Sequence, residues 1–558
     1  MPRFLNRPRG NPPLSAAGDG SVSAAPVRSG IAAAAIVIML GNVLSRVLGL
    51  VREQLAAGLF GTGDPIAAFT IADNVHTLLF DLLISGTLQA ALIPVLAASV
   101  ASDLASRAEL RRIAGALLAL FAIVGGVVVV LALVFAPVVV DAMTALGGDA
   151  GGRDPETTEL TVTLVRLILP AVFCLGVSTI LMGVLYALGR VTAPALGIAV
   201  RNAAVVVAML LFADALGVKS MAVGVVVGAL AIVAMQLVPL YRADALPRPN
   251  LDFGHPAVRQ VLRLYLPIFL GLLVNTVAVV IDRNLAWGAE RDALGAMRYA
   301  TTLVQMVLGL VAAAISLAAL PTLSRHFAAG DEAAFMGTLG RALAMVTVLI
   351  VPVVLGLAAV AQPAVSLIFQ HGETDAAGAR LIVIALLGYL PGTLCAAYDQ
   401  VLIFAFYARQ NTRAPVVVGV LAVLVYFVVA FSLVDWLGML GLVIANSAQF
   451  AAHVAVMFWL ARRSFGWTAS ARLRRTAGSC LVGGTGCALA ALALWLTLRA
   501  GLPEADGWQE IGRELLLLGL PIVAGGAVYI AVLHRQGVEE LATLRRAILG
   551  RFLPRLAE

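Results

Sequence analysis

Fourteen stretches of this chain are long and apolar enough to cross a bilayer's hydrocarbon core, roughly 30 Å thick, as helices rising about 1.5 Å per residue. No soluble fold accommodates them: 61% of the 558 residues are hydrophobic and only 12% are charged, against about 25% charged in an ordinary globular chain. The stretches lack the roughly ten-residue alternating segments of a membrane β-barrel. The expected fold class is an all-α polytopic membrane protein with about fourteen transmembrane helices.

Loop charges test that count. With the N-terminus inside, the inner segments hold Arg107, Arg111 and Arg112, then Arg190, then Arg242 and Arg248, and finally the cluster Arg462, Arg463, Arg472, Arg474 and Arg475. The outer loops hold mostly acids, among them Asp64, Asp154, Glu156, Asp214, Glu290, Glu373, Asp435 and Glu504. Every alternate loop obeys the positive-inside rule, and a missed helix would scramble the pattern beyond it. Both ends of the chain are thus expected in the cytoplasm of a multi-pass protein. The net charge of +7 comes from arginines strung between apolar runs rather than gathered in one patch, so no nucleic-acid partner is expected. The four cysteines all fall inside apolar runs, without metal-ligand spacing, and read as small buried residues.

The chain repeats itself. Leu88 to Leu96 returns as Ser316 to Ser324, and Tyr186 to Pro194 returns as Tyr407 to Pro415, with offsets of 227 and 221 residues taken at the shared prolines. Each copy contains six spans, an even number, so both copies face the same way. The expected organisation is a disordered tail over 1–30, a first lobe over 31–241 and a second over 255–463. Two further helices over 471–535 and a tail over 536–558 complete it. Two lobes in parallel repeat can enclose a cleft whose access alternates as they rock. No phosphate-binding loop, zinc helix or soluble ATPase-sized segment is present in the sequence. The expectation is a transporter rather than an enzyme, without a cofactor, and coupling through Na+, H+ or the membrane potential stays open.

Charges interrupt the first and seventh spans. If the first helix enters at Ile31, Arg46 lies about 22 Å along it and Arg52 about 9 Å further, roughly 240° around the axis. An arginine at the bilayer centre costs at least about 2.5–3.5 kcal/mol unless protein or water lines its surroundings. Arg46 is read as a cleft residue, the competing reading being a structural pair. Arg52 is read with Glu53 as its local neutraliser. Asp73, His76 and Asp81 lie along the second span, Arg201 and Asn202 in the fifth, Asp282 and Arg283 in the seventh, Arg298 in the eighth and Asp399 in the tenth. Asp282 either pairs locally with Arg283 or ligates a cation. A cleft with arginines at its middle fits an anion, and guanidinium forks match phosphate oxygens.

Ser45 to Gly63, "SRVLGLVREQLAAGLFGTG", is similar to the first-helix signature of the MurJ/MviN lipid II flippases, in the MATE-like multidrug/oligosaccharidyl-lipid/polysaccharide exporter superfamily. The likeness continues through "GVLYALGRVTAPALGIAVRN", "VIDRNLAWG", "YATTLVQMVLG" and "FYARQNTRAP", in order, over about 31–463. The resemblance implies translocation of an undecaprenyl-pyrophosphate-linked peptidoglycan precursor across the bacterial cytoplasmic membrane. The pyrophosphate would lie in an arginine-lined cavity, and the last two helices would form a groove for the lipid tail. It implies Arg46, Arg52 and Glu53 as substrate-site residues. It implies a sodium site of some members at Asp282, with Asn446 near a second ligand position. The family's helix-eight motif reads Tyr299-Ala300-Thr301-Thr302-Leu303 here, without its arginine. Arg298 is the remaining candidate for a third pocket arginine, with a register that points elsewhere. Membrane lipids and cell-wall synthesis proteins are the partners implied. An exporter of another lipid-linked glycan, a cation-coupled multidrug exporter and a non-transporting scaffold remain the alternatives.

Overall fold

The computed structural model describes residues 25–84, 96, 104–145, 155–503 and 508–543. Among them the chain forms helices and turns and no strand. Helices satisfy their own backbone groups, which hydrocarbon cannot do for them.

The first half runs α1 (Ala25–Phe60), α2 (Asp64–Ile84), α3 (Leu104–Val134), α4 (Ala136–Thr144), α5 (Pro155–Ile168), α6 (Pro170–Ala187), α7 (Thr192–Leu216) and α8 (Lys219–Arg242). The second runs α9 (Pro256–Ala289), α10 (Ala293–Leu310), α11 (Ala312–Ala328), α12 (Glu332–Ala359), α13 (Ala361–Phe369), α14 (Ala376–Ala408), α15 (Arg413–Leu437) and α16 (Met439–Phe465). α17 (Ala471–Gly501) and α18 (Trp508–Arg535) follow. Among the described residues, twelve spans are long and apolar enough to cross a membrane. α1 and α9 are not among the twelve, yet at 36 and 34 residues each exceeds the length of a crossing. Adding them gives the fourteen expected. Leu210, Leu211 and Val428 stand 66–68% exposed on the outer surface, which is where lipid tails are the solvent.

Two boundaries differ from the expectation. α1 begins at Ala25 rather than near 31; residues 1–24 and 544–558 of the two tails lie outside the described residues. The span over 155–187 is two helices, α5 and α6, because Pro170 lacks the amide that would continue the ladder.

The internal repeat is visible in atomic detail. α7 and α15 match end for end at an offset of 221 residues. The turns before them match as well: Arg190 N donates to Leu185 O and Asn411 N to Phe406 O, over left-handed residues Gly189 (φ 71°) and Gln410 (φ 57°). The turns after them use Gly217 (φ 55°) and Gly438 (φ 53°). The other sequence string, Leu88 to Leu96, lies outside the described residues except for Leu96.

Helix packing follows the same division. α7 packs on α1 and α8, while α14 packs on α10, α11, α12 and α16; α17 packs on α12 and α18. α9 touches both halves, lying against α2 and α4 on one side and α10, α15 and α16 on the other. At the end where α1 turns into α2 the halves meet directly. Glu373 N donates to Gly58 O (2.9 Å), Thr374 Oγ1 to Ala57 O (2.7 Å), Tyr299 Oη to Gly61 O (2.9 Å) and Thr62 Oγ1 to Asp292 Oδ1 (2.9 Å). Gly372 (φ 59°) is required there, since a Cβ would strike the Gly58 carbonyl.

Candidate functional site

The charges carried by α1 are met from the opposite half. Glu53 is 1% exposed, and a carboxylate buried to that degree needs partners. It has two. Arg52 donates from Nε (3.0 Å) and Nη2 (2.5 Å), and Arg298 of α10 donates from Nε (2.8 Å) and Nη2 (3.0 Å). Arg298 also reaches Asp73 of α2 through Nη1 (3.1 Å), and its guanidinium lies 5.0 Å from the centre of the Phe69 ring. The expectation that the register of Arg298 points elsewhere does not hold. Arg298 stands one turn before Thr302, on the same helix face, and Thr302 Oγ1 donates to its carbonyl (3.1 Å).

Asn202 of α7 secures the other side. Its Oδ1 accepts from Arg52 Nη1 (3.1 Å) and its Nδ2 donates to Ser45 O (2.9 Å). Asn202, Arg52, Glu53, Arg298 and Asp73 therefore form one connected set spanning both halves. Arg46 makes a separate crossing. Its Nη1 donates to Gln305 O of α10 (2.8 Å), and the guanidinium occupies space that any side chain at Gly309 would fill. Arg201, beside Asn202, is close enough to Arg52, Asp73 and His76 for their charges to interact. His76 is 2% exposed, lies 3.8 Å from Asp73, and has no hydrogen-bond partner on either ring nitrogen among the described residues.

A cavity of about 400 Å³ opens in the second half. Asp282, Arg283, Gln305, Tyr389, Tyr426 and Asn446 are among the residues lining it, and Gln305 links it to Arg46. Asn446 thus shares the cavity with Asp282. The Asp282 carboxylate is already compensated: the Tyr426 hydroxyl donates to Oδ1, and Arg283 Nε stands 3.6 Å from Oδ2. Among the described residues no group of three or more His, Cys, Asp or Glu is arranged to hold a metal. Asp282 therefore meets this cavity with a guanidinium and a hydroxyl beside it.

Deeper in the second half, His453 Nδ1 and Asp399 Oδ1 lie 2.6 Å apart, both residues buried, with His453 Nε2 3.3 Å from Pro415 O. This pair joins α16 to α14 and α15 and stands apart from the arginine set. Sequence reasoning singled out Arg46, Arg52, Glu53 and Arg298 but gave no place to the Asn202 bridge or to Gly309. The one available sign was that Asn202 falls inside a motif shared with the family.

The family described as "Lipid II flippase MurJ" matches residues 56–502, well over half of the chain. The chain belongs to the MurJ family. The match begins just after Arg46, Arg52 and Glu53, but relatives extend further. The "Probable lipid II flippase MurJ" of Vibrio cholerae is 28% identical over 523 residues, covering 90% of this chain and 95% of its own. The "Lipid II flippase MurJ" of Burkholderia cenocepacia is 26% identical over 75% of this chain and 81% of its own. Among solved structures, "Lipid II flippase MurJ, inward closed conformation" superposes with a TM-score of 0.73 at 18% identity, covering 93% of this chain and 100% of that one. An inward-facing multidrug resistance MATE family transporter superposes at 0.64 and 16% identity, over 78% of this chain and 96% of its own. This MurJ family member thus shares its fold with both solved transporters.

Proposed function

We propose that this chain moves lipid II, the lipid-linked peptidoglycan precursor, from the inner to the outer leaflet of the bacterial cytoplasmic membrane. Membership of the MurJ family supplies the substrate. The observation that carries the reading is the arginine set held between the two halves. Arg46 and Arg52 of α1 each reach the α10 side, Arg46 to Gln305 O and Arg52 through the buried Glu53 that it shares with Arg298. Guanidinium groups so placed suit the pyrophosphate, while the polyprenyl tail stays in lipid.

The lobes over 31–241 and 255–463 rock against each other in this reading, with α17 and α18 beside the second lobe as the lipid-tail groove. The contacts of Gly58, Gly61 and Thr374 close the outer end, and the positive-inside pattern puts both chain ends in the cytoplasm. A phosphate entering between the lobes competes with Glu53 for Arg52 and Arg298. That competition weakens a contact between the halves and so favours the alternate opening. No step is routed through sodium at Asp282, and the membrane potential is the natural source of drive. The test is depletion of the protein in cells lacking any other lipid II flippase, with lipid II exposure at the outer leaflet as the readout. Exposure should fall on depletion, return with the wild-type chain and fail to return with Arg46→Ala. Undiminished exposure on depletion rejects the reading.

A further inference from the structure

Arg201 is the charge that the contacts above leave over. It is the tenth residue of α7, about 14 Å along a helix of 25 residues, and so lies at hydrocarbon depth. Among the described residues its guanidinium has neither a hydrogen bond nor an ion pair. Asp73 is the carboxylate near it, but Asp73 Oδ2 is taken by Arg298 Nη1 at 3.1 Å and Oδ1 faces His76 at 3.8 Å. Arg52 and His76 are also close enough for their charges to act on it, and Arg52 repels it. Arginines at hydrocarbon depth are ordinarily paired or face a water-filled cavity, and this one, half-buried, stands near a like charge.

The internal repeat shows that the fold itself does not ask for an arginine here. At the offset of 221 residues, position 201 corresponds to Ala422 of α15, which is buried at 3%. Gly228 of α8, which leaves room for the Arg201 stem, corresponds to Gln449. The first half has exchanged a small residue for a cation and cleared space beside it. Counting the set, four guanidinium groups (Arg46, Arg52, Arg201 and Arg298) face two carboxylates (Glu53 and Asp73). Two positive charges remain, and a disubstituted pyrophosphate carries one ionised oxygen on each phosphorus.

We propose that Arg201 is a specificity-determining contact for the second phosphate of the substrate, so that the cleft distinguishes a pyrophosphate-linked lipid from a monophosphate-linked one. The proposal rests on the lipid II reading above. Arg52 and Arg298 are held by acids of the protein, whereas Arg201 is free to bind as soon as a second phosphate arrives. Asn202 fixes its depth by holding α7 to Ser45 and Arg52 of α1.

The full-length protein in nanodiscs tests this by equilibrium binding of two probes: lipid II, and an undecaprenyl phosphoryl sugar, whose diester carries a single phosphate. Wild type should prefer lipid II. Arg201→Ala should weaken lipid II by about tenfold or more while changing the monophosphate lipid by less than about twofold, as expected for loss of one charge-assisted contact. Arg201→Lys should keep most of the preference, and Arg201→Gln decides the matter should the alanine variant fail to fold. Arg46→Ala should weaken both probes. Unchanged lipid II affinity in Arg201→Ala, or an equal loss for both probes, overturns the proposal while leaving the function intact. Failure of wild type to bind either probe overturns the function and this inference with it.

Discussion

Two charged residues of α1, about two helical turns apart, have different work. Arg46 bonds to a backbone carbonyl across the cleft and is half-buried, so its removal leaves no buried charge behind. Glu53 is 1% exposed between two guanidinium groups, and removing it leaves Arg298 with Asp73 alone and Arg52 with only the neutral Asn202. Arg46→Ala is therefore expected to abolish lipid II translocation with little change in thermal stability. Glu53→Ala is expected to cost about 3–5 kcal/mol of stability as well as transport. Parallel thermal melts and transport measurements on the two variants check this, and equal destabilisation by both would contradict the assignment. The sequence already marked these residues, because charge at hydrocarbon depth is conspicuous in a chain this apolar. It could not reveal that Glu53 is shared with Arg298, 245 positions away, or that Gly309 makes room for Arg46. Such pairings depend on how helices from two halves come together. Register misled at Arg298 for a simpler reason: one helical turn brings it back over Thr302, so an arginine missing from the motif reappears on the same face.

At the scale of elements, the duplication explains which features are scaffold and which are specific. α7 and α15 share ends, turns and left-handed positions, so these belong to the scaffold and were legible as repeated strings. Glu53 beside Arg52 in α1 corresponds to Asp282 beside Arg283 in α9 at an offset of 229 residues, the offset that also relates the starts of α2 and α10. The two acids have diverged in their surroundings. One holds the halves together through Arg298, and the other lines the second-half cavity under the Tyr426 hydroxyl. The closed end where α1 turns into α2 is likewise an element-scale feature, and it depends on Gly372. Gly372→Ala would force a left-handed alanine, which costs about 1–2 kcal/mol, and push its Cβ against the Gly58 carbonyl. The Glu373 amide, which donates to that carbonyl, should then exchange its hydrogen faster than in wild type. Unchanged protection would show that this contact does not hold the halves together.

For the whole molecule, the fourteen spans followed from apolar length and loop charge, because a bilayer fixes both so strictly. The ion was not legible. Asp282 invited a sodium site, and the Tyr426 hydroxyl and Arg283 stand at its two oxygens. Reconstituted transport is accordingly expected to run at the same rate when potassium replaces sodium on both sides of the membrane, and a rate that follows sodium would refute that expectation. The central claim is that Arg46 faces a wet cleft between the two halves, which lipid II enters. It is tested most directly by Arg46→Cys in a chain whose native Cys174, Cys395, Cys480 and Cys487 have been replaced, labelled with a hydrophilic, membrane-impermeant maleimide. The account predicts rapid labelling that lipid II blocks; a thiol that reacts only with lipid-soluble reagents, or that lipid II leaves equally reactive, would contradict it.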